Sequence, residues 1–261
     1  HPPSAYRLDD ALFASEFGLQ AVPHQETLEQ FLPADELWPP GPSWHYHGAE
    51  PEKLRRYARP FLRSEEPHLD EFIQASQRAQ AHALQIAVEH YRRAKARGGG
   101  GVLIWQLNEP WPAISWALID FYRQPKAAYA AVKRLMNPVL VSLEYPLRRH
   151  RAGDELAIGI WVVNDLPRAL PGCHLEVTLW AGGQASTKYA LDVDIAAGSA
   201  TKLGRETWTL PPGEDWRLTC ELLREGQTLA ANEYDLTVHD DIGPMARQRL
   251  RSWLGGLVVP S

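Results

Sequence analysis

The stretch GVLIWQLNEPW (residues 101–111) decides the fold of the first part of this chain. From Val102 to Leu107 it is a nearly continuous apolar run, and polar groups follow at once. Continuous apolar strands are typical of parallel sheets that are covered on both faces. We therefore predict a buried strand, VLIWQL, that is followed closely by a carboxylate, Glu109.

The segments on both sides of this stretch predict two βα units. Upstream, ALFAS (residues 11–15) reads as a strand that ends at Glu16, and a long helix follows in residues 67–97. Apolar and small residues recur in that helix at spacings of three and four, acidic residues gather at its start and basic ones at its end. Gly98 is a suitable cap. A second helix, at about residues 126–136, follows the strand VLIWQL.

Both predicted strands lead into a carboxylate, Glu16 and Glu109. In βα folds the loops at the carboxyl ends of the strands carry the active site. Burying a carboxylate without partners is costly, so a carboxylate there is often kept for chemistry. The four letters SEFG (residues 15–18) taken alone favour a surface or capping glutamate. The rest of the chain has to decide between these interpretations.

A long connection, at about residues 20–67, separates the first strand from the long helix. Its Pro, Gly, Trp and His content predicts an ordered but irregular excursion, and loops of this length in compact domains are usually functional. Trp44, His45 and His47 lie together in it. Contact with a substrate and packing within the loop are both open for these three residues. A metal site would need more ligands at the right spacing, so we predict none.

The chain changes character at about residue 138. Short strands bounded by Gly, Pro, Asn or Asp follow one another up to about residue 238, and seven such strands at regular spacing predict an immunoglobulin-like β-sandwich. The tail, residues 241–261, predicts one short helix with an apolar end. Cys173 and Cys220 are the only cysteines and lack the spacing of a zinc site, and two buried thiols are expected rather than a disulfide.

The composition of the chain argues against two classes of partner, nucleic acid and membranes. The chain has 261 residues, 44% of them hydrophobic. Its formal net charge of −5 lacks the excess of basic residues that is typical of nucleic-acid-binding proteins. Its apolar runs are far shorter than a membrane span, so neither nucleic acid nor a membrane is an expected partner. Ten tryptophans are unusual, and such side chains build cores but also stack on sugar rings.

Four motifs in order carry a family resemblance. SEFG is followed by a helix containing QRAQAHALQIAVEHYRR, then by WQLNEPWPAISWALIDFYRQPKAAYAAVKR, and then by PVLVSLE. This order resembles the C-terminal half of glycoside hydrolase family 2 enzymes, in their β-mannosidase-like branch. The resemblance covers about residues 10–145 well and the remaining strands only by position. The block WQLN…SW…ID is its specific part.

The resemblance implies the fold class and the domains. It makes the chain α/β plus all-β: residues 1–137 are the C-terminal part of a TIM (β/α)8 barrel, with strands seven and eight and their helices. Residues 138–240 are an immunoglobulin-like β-sandwich, and residues 241–261 are a helix and tail. The rest of the barrel is absent from this sequence. The two barrel strands would each have an open side, and open apolar edges recruit other chains or segments.

The resemblance also implies site residues. Glu16 matches the catalytic nucleophile, with Gly18 letting the loop turn away from it. Trp105 matches a stacking platform for the sugar, with a plain barrel-core tryptophan as the alternative, and Asn108 matches a residue that binds substrate or orients Glu16. Trp111 and Trp116 are expected to pack. No cofactor is implied.

Glu109 departs from the family pattern, which has Asp at that position. NEP resembles the acid/base motif of this clan, but that motif lies on strand four, upstream of the nucleophile. We expect Glu109 to line the pocket and bind a sugar hydroxyl, with a structural carboxylate and the acid/base as alternatives. The candidate substrate-binding residues are therefore Trp105, Asn108, Glu109, Trp44, His45 and His47.

The expected function is the nucleophile-bearing part of a retaining exo-glycosidase for β-linked sugars. β-Mannosides come first, before β-glucosaminides, β-galactosides and β-glucuronides. The alternative is a non-catalytic accessory fragment whose sandwich serves packing or weak carbohydrate binding. Candidate partners are a glycoside or oligosaccharide, a second copy of the chain, and the upstream part of the same enzyme. Because the acid/base would lie upstream, the chain alone is expected to be inactive.

Overall fold

A computed structural model describes residues 2–238. Most of its regular structure is strand. The α-helices are α1 (Gln25–Leu28), α2 (Pro42–Tyr46), α3 (Pro51–Ala58), α4 (Leu69–Arg93) and α5 (Ala127–Leu135). The strands are β1 (Phe13–Phe17), β2 (Gly101–Ile104), β3 (Val139–Glu144), β4 (Glu155–Asn164), β5 (Leu170–Ala181), β6 (Gln184–Ile195), β7 (Ser199–Thr209), β8 (Trp216–Arg224) and β9 (Gln227–Asp235). Four 3-10 helices span Pro3–Leu8, Ala34–Glu36, Arg59–Phe61 and Ala94–Arg97.

The described chain divides into two compact units. The first unit holds residues 2–6, 14–88 and 102–133, and the second holds residues 7–13, 89–101 and 134–238. Within residues 2–238 no helix is both long and apolar enough to cross a membrane. The predicted helix in residues 241–261 lies outside the described residues. The predicted domain boundaries and the barrel and immunoglobulin-like classes stay predictions.

β1 and β2 form a two-stranded sheet. The Leu12 carbonyl accepts from the Gly100 N–H at 2.7 Å, and the Phe17 carbonyl accepts from the Trp105 N–H at 2.8 Å. Both partners of these bonds advance by five residues, so the strands run parallel, as the βα pattern predicts. No closed barrel and no third strand of this sheet occurs among residues 2–238.

The strand VLIWQL is shorter than predicted and less buried. β2 ends at Ile104, before Trp105. A continuous apolar run predicts burial on both faces, but a sheet of two strands leaves much of that surface uncovered. The large exposed apolar side chains on or beside these two strands are Leu12, Phe13, Leu103, Trp105 and Leu107.

The two predicted helices are present. α4 runs for 25 residues from Leu69, and Gly98 follows the next 3-10 turn with φ +94°, a left-handed cap. α5 covers nine residues of the predicted second helix. The long connection contains the short helices α1 to α3, which its Pro and Gly content did not predict. They pack a hydrophobic core whose fully buried members are Val22, Leu28, Trp44, Ala58 and Ile114.

The second unit contains seven antiparallel strands in two sheets. Their orders are β3-β4-β7 and β6-β5-β8-β9. Alternating residues of β5 and β8, among them Leu175, Val177, Leu218 and Leu222, are completely buried. This alternation is the one the sequence predicts for strands with one face on a core. Cys173 and Cys220 are both buried and both free, as expected.

Candidate active site

Glu16 is the fourth residue of β1 and is exposed. The structure therefore puts it inside the last part of the strand rather than just after it. Its neighbour Phe17 bonds to the backbone of Trp105, so the carboxyl ends of β1 and β2 lie side by side. Within the described chain the Glu16 carboxylate makes no hydrogen bond or ion pair.

Gly18 is required by a close approach of two backbones. A Cβ at this position would lie 2.0 Å from the Trp105 carbonyl oxygen and 3.2 Å from Cδ1 of Trp116. The sequence suggested that Gly18 frees the loop to turn. The structure adds that no side chain fits between the ends of β1 and β2.

Two polar side chains that the sequence analysis missed hold the segment after Glu16. The Tyr6 hydroxyl donates to the Gly18 carbonyl at 3.4 Å, and burial raises the pKa of Tyr6 to about 12. The Gln80 amide, fully buried on α4, donates to the carbonyls of Leu19 and Trp116 at 2.9 Å. A glutamine on the predicted buried face of α4 was the signal available for this bond.

Trp105 and Asn108 are both exposed, and 47% of the Trp105 surface is open. The peptide bond that follows Trp105 is cis. The indole is open, and the Trp105 backbone bonds to Phe17, the residue after Glu16, while its role as a stacking platform stays a prediction. Asn108 lies one residue before Glu109, and its backbone bridges to Ile119.

Glu109 lies in a buried charged cluster and is only 6% exposed. Burial raises the pKa of its carboxyl group, whereas Lys126 and the Ala117 N–H lower it and Asp120 raises it further. Its Oε1 has no hydrogen-bond partner among the described residues. The structure thus gives Glu109 little open surface and one carboxylate oxygen that lacks a donor.

Lys126 is the centre of that cluster and was missed by the sequence analysis. It is fully buried and donates to the carbonyls of Ala21 at 2.8 Å and Ser115 at 3.0 Å. Desolvation lowers its pKa to about 8, against the opposing effect of Glu109 and Asp120. The three charged residues of the largely apolar block ISWALIDFYRQPK, which are Asp120, Arg123 and Lys126, were the signal available in the sequence.

Asp120 completes the buried cluster. It accepts from the Thr27 hydroxyl at 2.6 Å and from the Gln124 N–H at 2.9 Å. These contacts tie the segment after β2 to α1 and to the turn before α5. The cluster therefore holds in place the chain that carries Trp105 and Asn108.

The three residues singled out in the long connection do not come together. Trp44 is completely buried, and its indole N–H donates to the Glu36 carbonyl at 2.9 Å. It packs on Trp38 with ring centroids 6.2 Å apart. His45, the next residue on α2, is exposed. Successive residues of a helix point to different sides, so Trp44 joins the core, the packing alternative, while His45 faces away from it.

His47 joins a different aromatic group. Its ring stacks on Trp111 at 5.5 Å and 24°, and its Nδ1 is 2.8 Å from the Pro112 carbonyl oxygen. Tyr46, which is 77% exposed, meets the edge of the same indole at 6.2 Å. The sequence analysis treated Trp111 as a packing residue and overlooked Tyr46. Among residues 2–238 no group of three or more His, Cys, Asp or Glu could hold a metal ion.

No protein-family model matches the chain. Curated relatives do: "Beta-mannosidase B" of Aspergillus niger is 32% identical over 180 residues, which are 64% of this chain and 21% of the relative. "Beta-mannosidase B" of Neosartorya fischeri is 34% identical over 146 residues, 53% of this chain and 17% of the relative. The chain thus spans about a fifth of the length of the curated relatives it matches.

Solved structures agree with this similarity. The β-D-mannosidase of Dictyoglomus thermophilum covers 92% of this chain at 27% identity and a TM-score of 0.74, and the chain covers 29% of it. The exo-chitosanase CsxA of Amycolatopsis orientalis covers 90% of this chain, and this chain covers 29% of CsxA, at 21% identity and a TM-score of 0.67. At this level of identity the match supports the fold alone. The resemblance to a C-terminal β-mannosidase-like region of family 2 is confirmed.

Proposed function

We propose that this chain, similar to the C-terminal region of family 2 β-mannosidases, carries the nucleophile of a retaining exo-glycosidase. The proposed substrates are β-linked sugars, with β-mannosides first because the relatives and the solved neighbour bear that name. The observation that carries the proposal is Glu16, an exposed and unpaired carboxylate at the carboxyl end of a parallel strand. It lies beside the strand that leads to the exposed Trp105.

In the proposed reaction the Glu16 carboxylate attacks the anomeric carbon as the bond to the leaving oxygen breaks. A carboxylic acid from the upstream part of the protein gives its proton to that oxygen. Water then attacks the glycosyl ester at the same carbon, the acid residue takes the proton from the water, and Glu16 is released as the carboxylate. Retaining enzymes hold the two carboxyl groups about 5–5.5 Å apart.

The other residues have proposed supporting roles. Trp105 stacks on the apolar face of the sugar, and Asn108 donates to a hydroxyl. For Glu109, burial supports a structural role, whereas its unpartnered Oε1 supports acceptance of a hydrogen bond from a sugar hydroxyl. His45 and His47 remain proposed contacts at the edge of the long connection, with Tyr46 and Trp111 beside His47. For Trp44 the complete burial supports packing.

Glu16→Gln in the full-length protein tests the proposal. We expect turnover of an aryl β-mannoside to fall by at least about 10³-fold, since an amide cannot form the glycosyl ester. Azide should partly restore turnover in Glu16→Ala with an activated aryl glycoside. Glu26→Gln, an exposed glutamate of α1, is the matched control and should keep full activity. Near-normal turnover in Glu16→Gln would remove Glu16 from the mechanism.

A further inference from the structure

A group of arginines lines a cavity of about 540 Å³ in the first unit. We call it the arginine groove. Its lining residues are Glu52, Arg55, Arg56, Arg59, Leu62, Arg63, Ser64 and Glu65. Four arginines against two glutamates give the lining a net charge of +2, although the whole chain carries −5. The groove is therefore a local concentration of positive charge.

The base of the arginine groove is built from packed structure. α3 buries Leu54 and Ala58 in the hydrophobic core, so its outward side carries Arg55 and Arg56. The next 3-10 helix begins at Arg59. Leu62, half-buried, packs against the same core. The arginines thus stand on elements whose opposite sides are fixed by core contacts.

The far wall of the groove, at Arg63 and Ser64, is held through its backbone by a carboxylate. Glu71, on the first turn of α4, accepts from the backbone N–H groups of Arg63 at 2.6 Å and Ser64 at 3.2 Å. The Ser64 hydroxyl in turn accepts from the Glu66 N–H at 3.1 Å. This carboxylate holds the loop through its backbone, and the Arg63 guanidinium remains free to bind.

None of the four guanidiniums forms an ion pair or hydrogen bond within residues 2–238. Arg59, the C-cap of α3, follows Arg55 by four residues, and like charges at that spacing on a helix destabilise it. Other arginines of the described chain do form ion pairs, as Arg148 does with Asp154 at 2.7 Å. The groove thus keeps an excess of positive charge that no ion pair within the described residues compensates.

We propose that the arginine groove is a binding site for an oxyanion group. The guanidinium presents planar pairs of N–H donors that match sulfate, phosphate and carboxylate, and it stays charged at any ordinary pH. The group is either a free inorganic anion or an acidic group on a sugar. Binding of such a group would relieve the repulsion among the arginines, so the site should stabilise the fold when it is occupied.

The test measures the binding of three probes by calorimetry at constant ionic strength set with sodium chloride. The probes are sodium sulfate, a sulfated monosaccharide and the same monosaccharide without sulfate. We expect the sulfated sugar to bind at least about tenfold more tightly than the unsulfated one, as the loss of charge-assisted hydrogen bonds predicts. If sodium sulfate binds as tightly as the sulfated sugar, the ligand is a free anion. If sodium sulfate binds more weakly than the sulfated sugar, the ligand is an acidic group on a sugar.

The variant Arg55→Gln/Arg59→Gln should lose at least about tenfold in affinity for both sulfated probes. Its melting temperature without anion should equal or exceed that of the wild type, because repulsion is removed, and added sulfate should no longer raise it. Arg205→Gln, which removes an exposed arginine of β7, should bind as the wild type does. Arg63→Gln provides a second variant on the other wall, should the double variant unfold.

Three results would overturn the proposal. The first is equal affinity for the sulfated and unsulfated sugars. The second is unchanged sulfate binding in Arg55→Gln/Arg59→Gln or, if that variant unfolds, in Arg63→Gln. The third is a loss of sulfate affinity in Arg205→Gln as large as that in Arg55→Gln/Arg59→Gln, since the loss would then come from the general charge of the surface.

Discussion

Gly18 links the candidate nucleophile to the neighbouring strand through a contact between backbones. The Trp105 carbonyl occupies the space that any Cβ at residue 18 would need. Both flanking residues, Phe17 and Leu19, are buried, so the chain has little freedom to move away. The distance between the ends of β1 and β2 thus depends on the absence of one methyl group.

Gly18→Ala should lower the free energy of unfolding by about 1–3 kcal/mol or more, which is the usual range for a forced fit. In the full-length protein it should also lower the turnover of an aryl β-mannoside, because it displaces Glu16 or Trp105. Gly204→Ala is the matched control, since its Cβ would meet only the Tyr189 hydroxyl, at 3.9 Å. Urea unfolding of the two variants compares them, and equal stabilities would contradict the close approach.

The burial of Lys126 makes the free energy of unfolding depend on pH. Its pKa is lowered from the model-compound value of 10.5 to about 8, chiefly by desolvation. Between these two values the unfolded chain binds more protons than the folded chain does. The stability contributed by this group is therefore complete above pH 10.5 and is lost as the pH falls through about 8.

Removal of this titration should be visible in the pH dependence of stability. Between pH 8 and pH 10.5 the wild type should gain about 3 kcal/mol relative to Lys126→Met, which has no group to titrate there. Lys53→Met, an exposed lysine paired with Glu50 at 2.9 Å, is the control and should show a far smaller difference. Parallel curves for wild type and Lys126→Met would place the Lys126 pKa near its ordinary value.

Within the second unit, a buried carboxylate joins the last part of α4 to the strands. Glu89 accepts from the Ser142 hydroxyl at 2.7 Å, from Asn232 at 2.8 Å and from the Tyr234 hydroxyl at 3.0 Å. Arg93, one turn later, lies 3.4 Å from the same carboxylate. One helical residue thus contacts both sheets, β3 of the first and β9 of the second.

Glu89→Leu should lower the stability of the protein by about 3–5 kcal/mol, the usual cost when one member of a buried charged pair is removed. The loss arises because Arg93, Asn232 and Tyr234 stay buried and each loses one of its contacts, the one with the Glu89 carboxylate. Glu155→Leu, the same change at an exposed position at the start of β4, should stay within about 0.5 kcal/mol. A loss in Glu89→Leu as small as in the control would show that the network adds nothing to stability.

The chain as a whole spans about a fifth of its curated relatives, 21% in the Aspergillus niger protein. The sheet β1-β2 has two strands within residues 2–238, and large apolar side chains beside it are exposed, with Phe13 at 54%. These features agree with a piece whose apolar strands pack against further structure in a longer protein. The proposed reaction needs a second carboxyl group from that structure.

The chain alone should therefore not hydrolyse an aryl β-mannoside. A positioned acid contributes about 10²–10⁴-fold, and the proposed acid lies outside this chain. A standard aryl β-mannoside assay on the purified chain, beside the full-length protein, checks this. Clean turnover by the monomeric chain, with light scattering to establish its state, would mean that it holds a complete active site.

The order of the strands and of the two longest helices, α4 and α5, follows from the sequence alone. Periodicity fixes α4, because apolar residues at spacings of three and four must share one face, and alternation fixes the strands of the second unit. The parallel pairing of β1 and β2 follows from the βα order. The family resemblance rested on motifs that stay recognisable at about 30% identity. These are local or short-period signals, and a sequence carries them directly.

Tertiary structure alone decided which residues meet. Trp44 and His47 are three residues apart, yet one lies in the core and the other stacks on Trp111, 64 residues further along the chain. Lys126 lies in a buried cluster, where its ammonium group donates to the carbonyls of Ala21 and Ser115. Such contacts depend on how distant segments pack, and packing sets burial and hence pKa. The sequence determined the strands and the two longest helices, and the tertiary structure determined what each side chain touches.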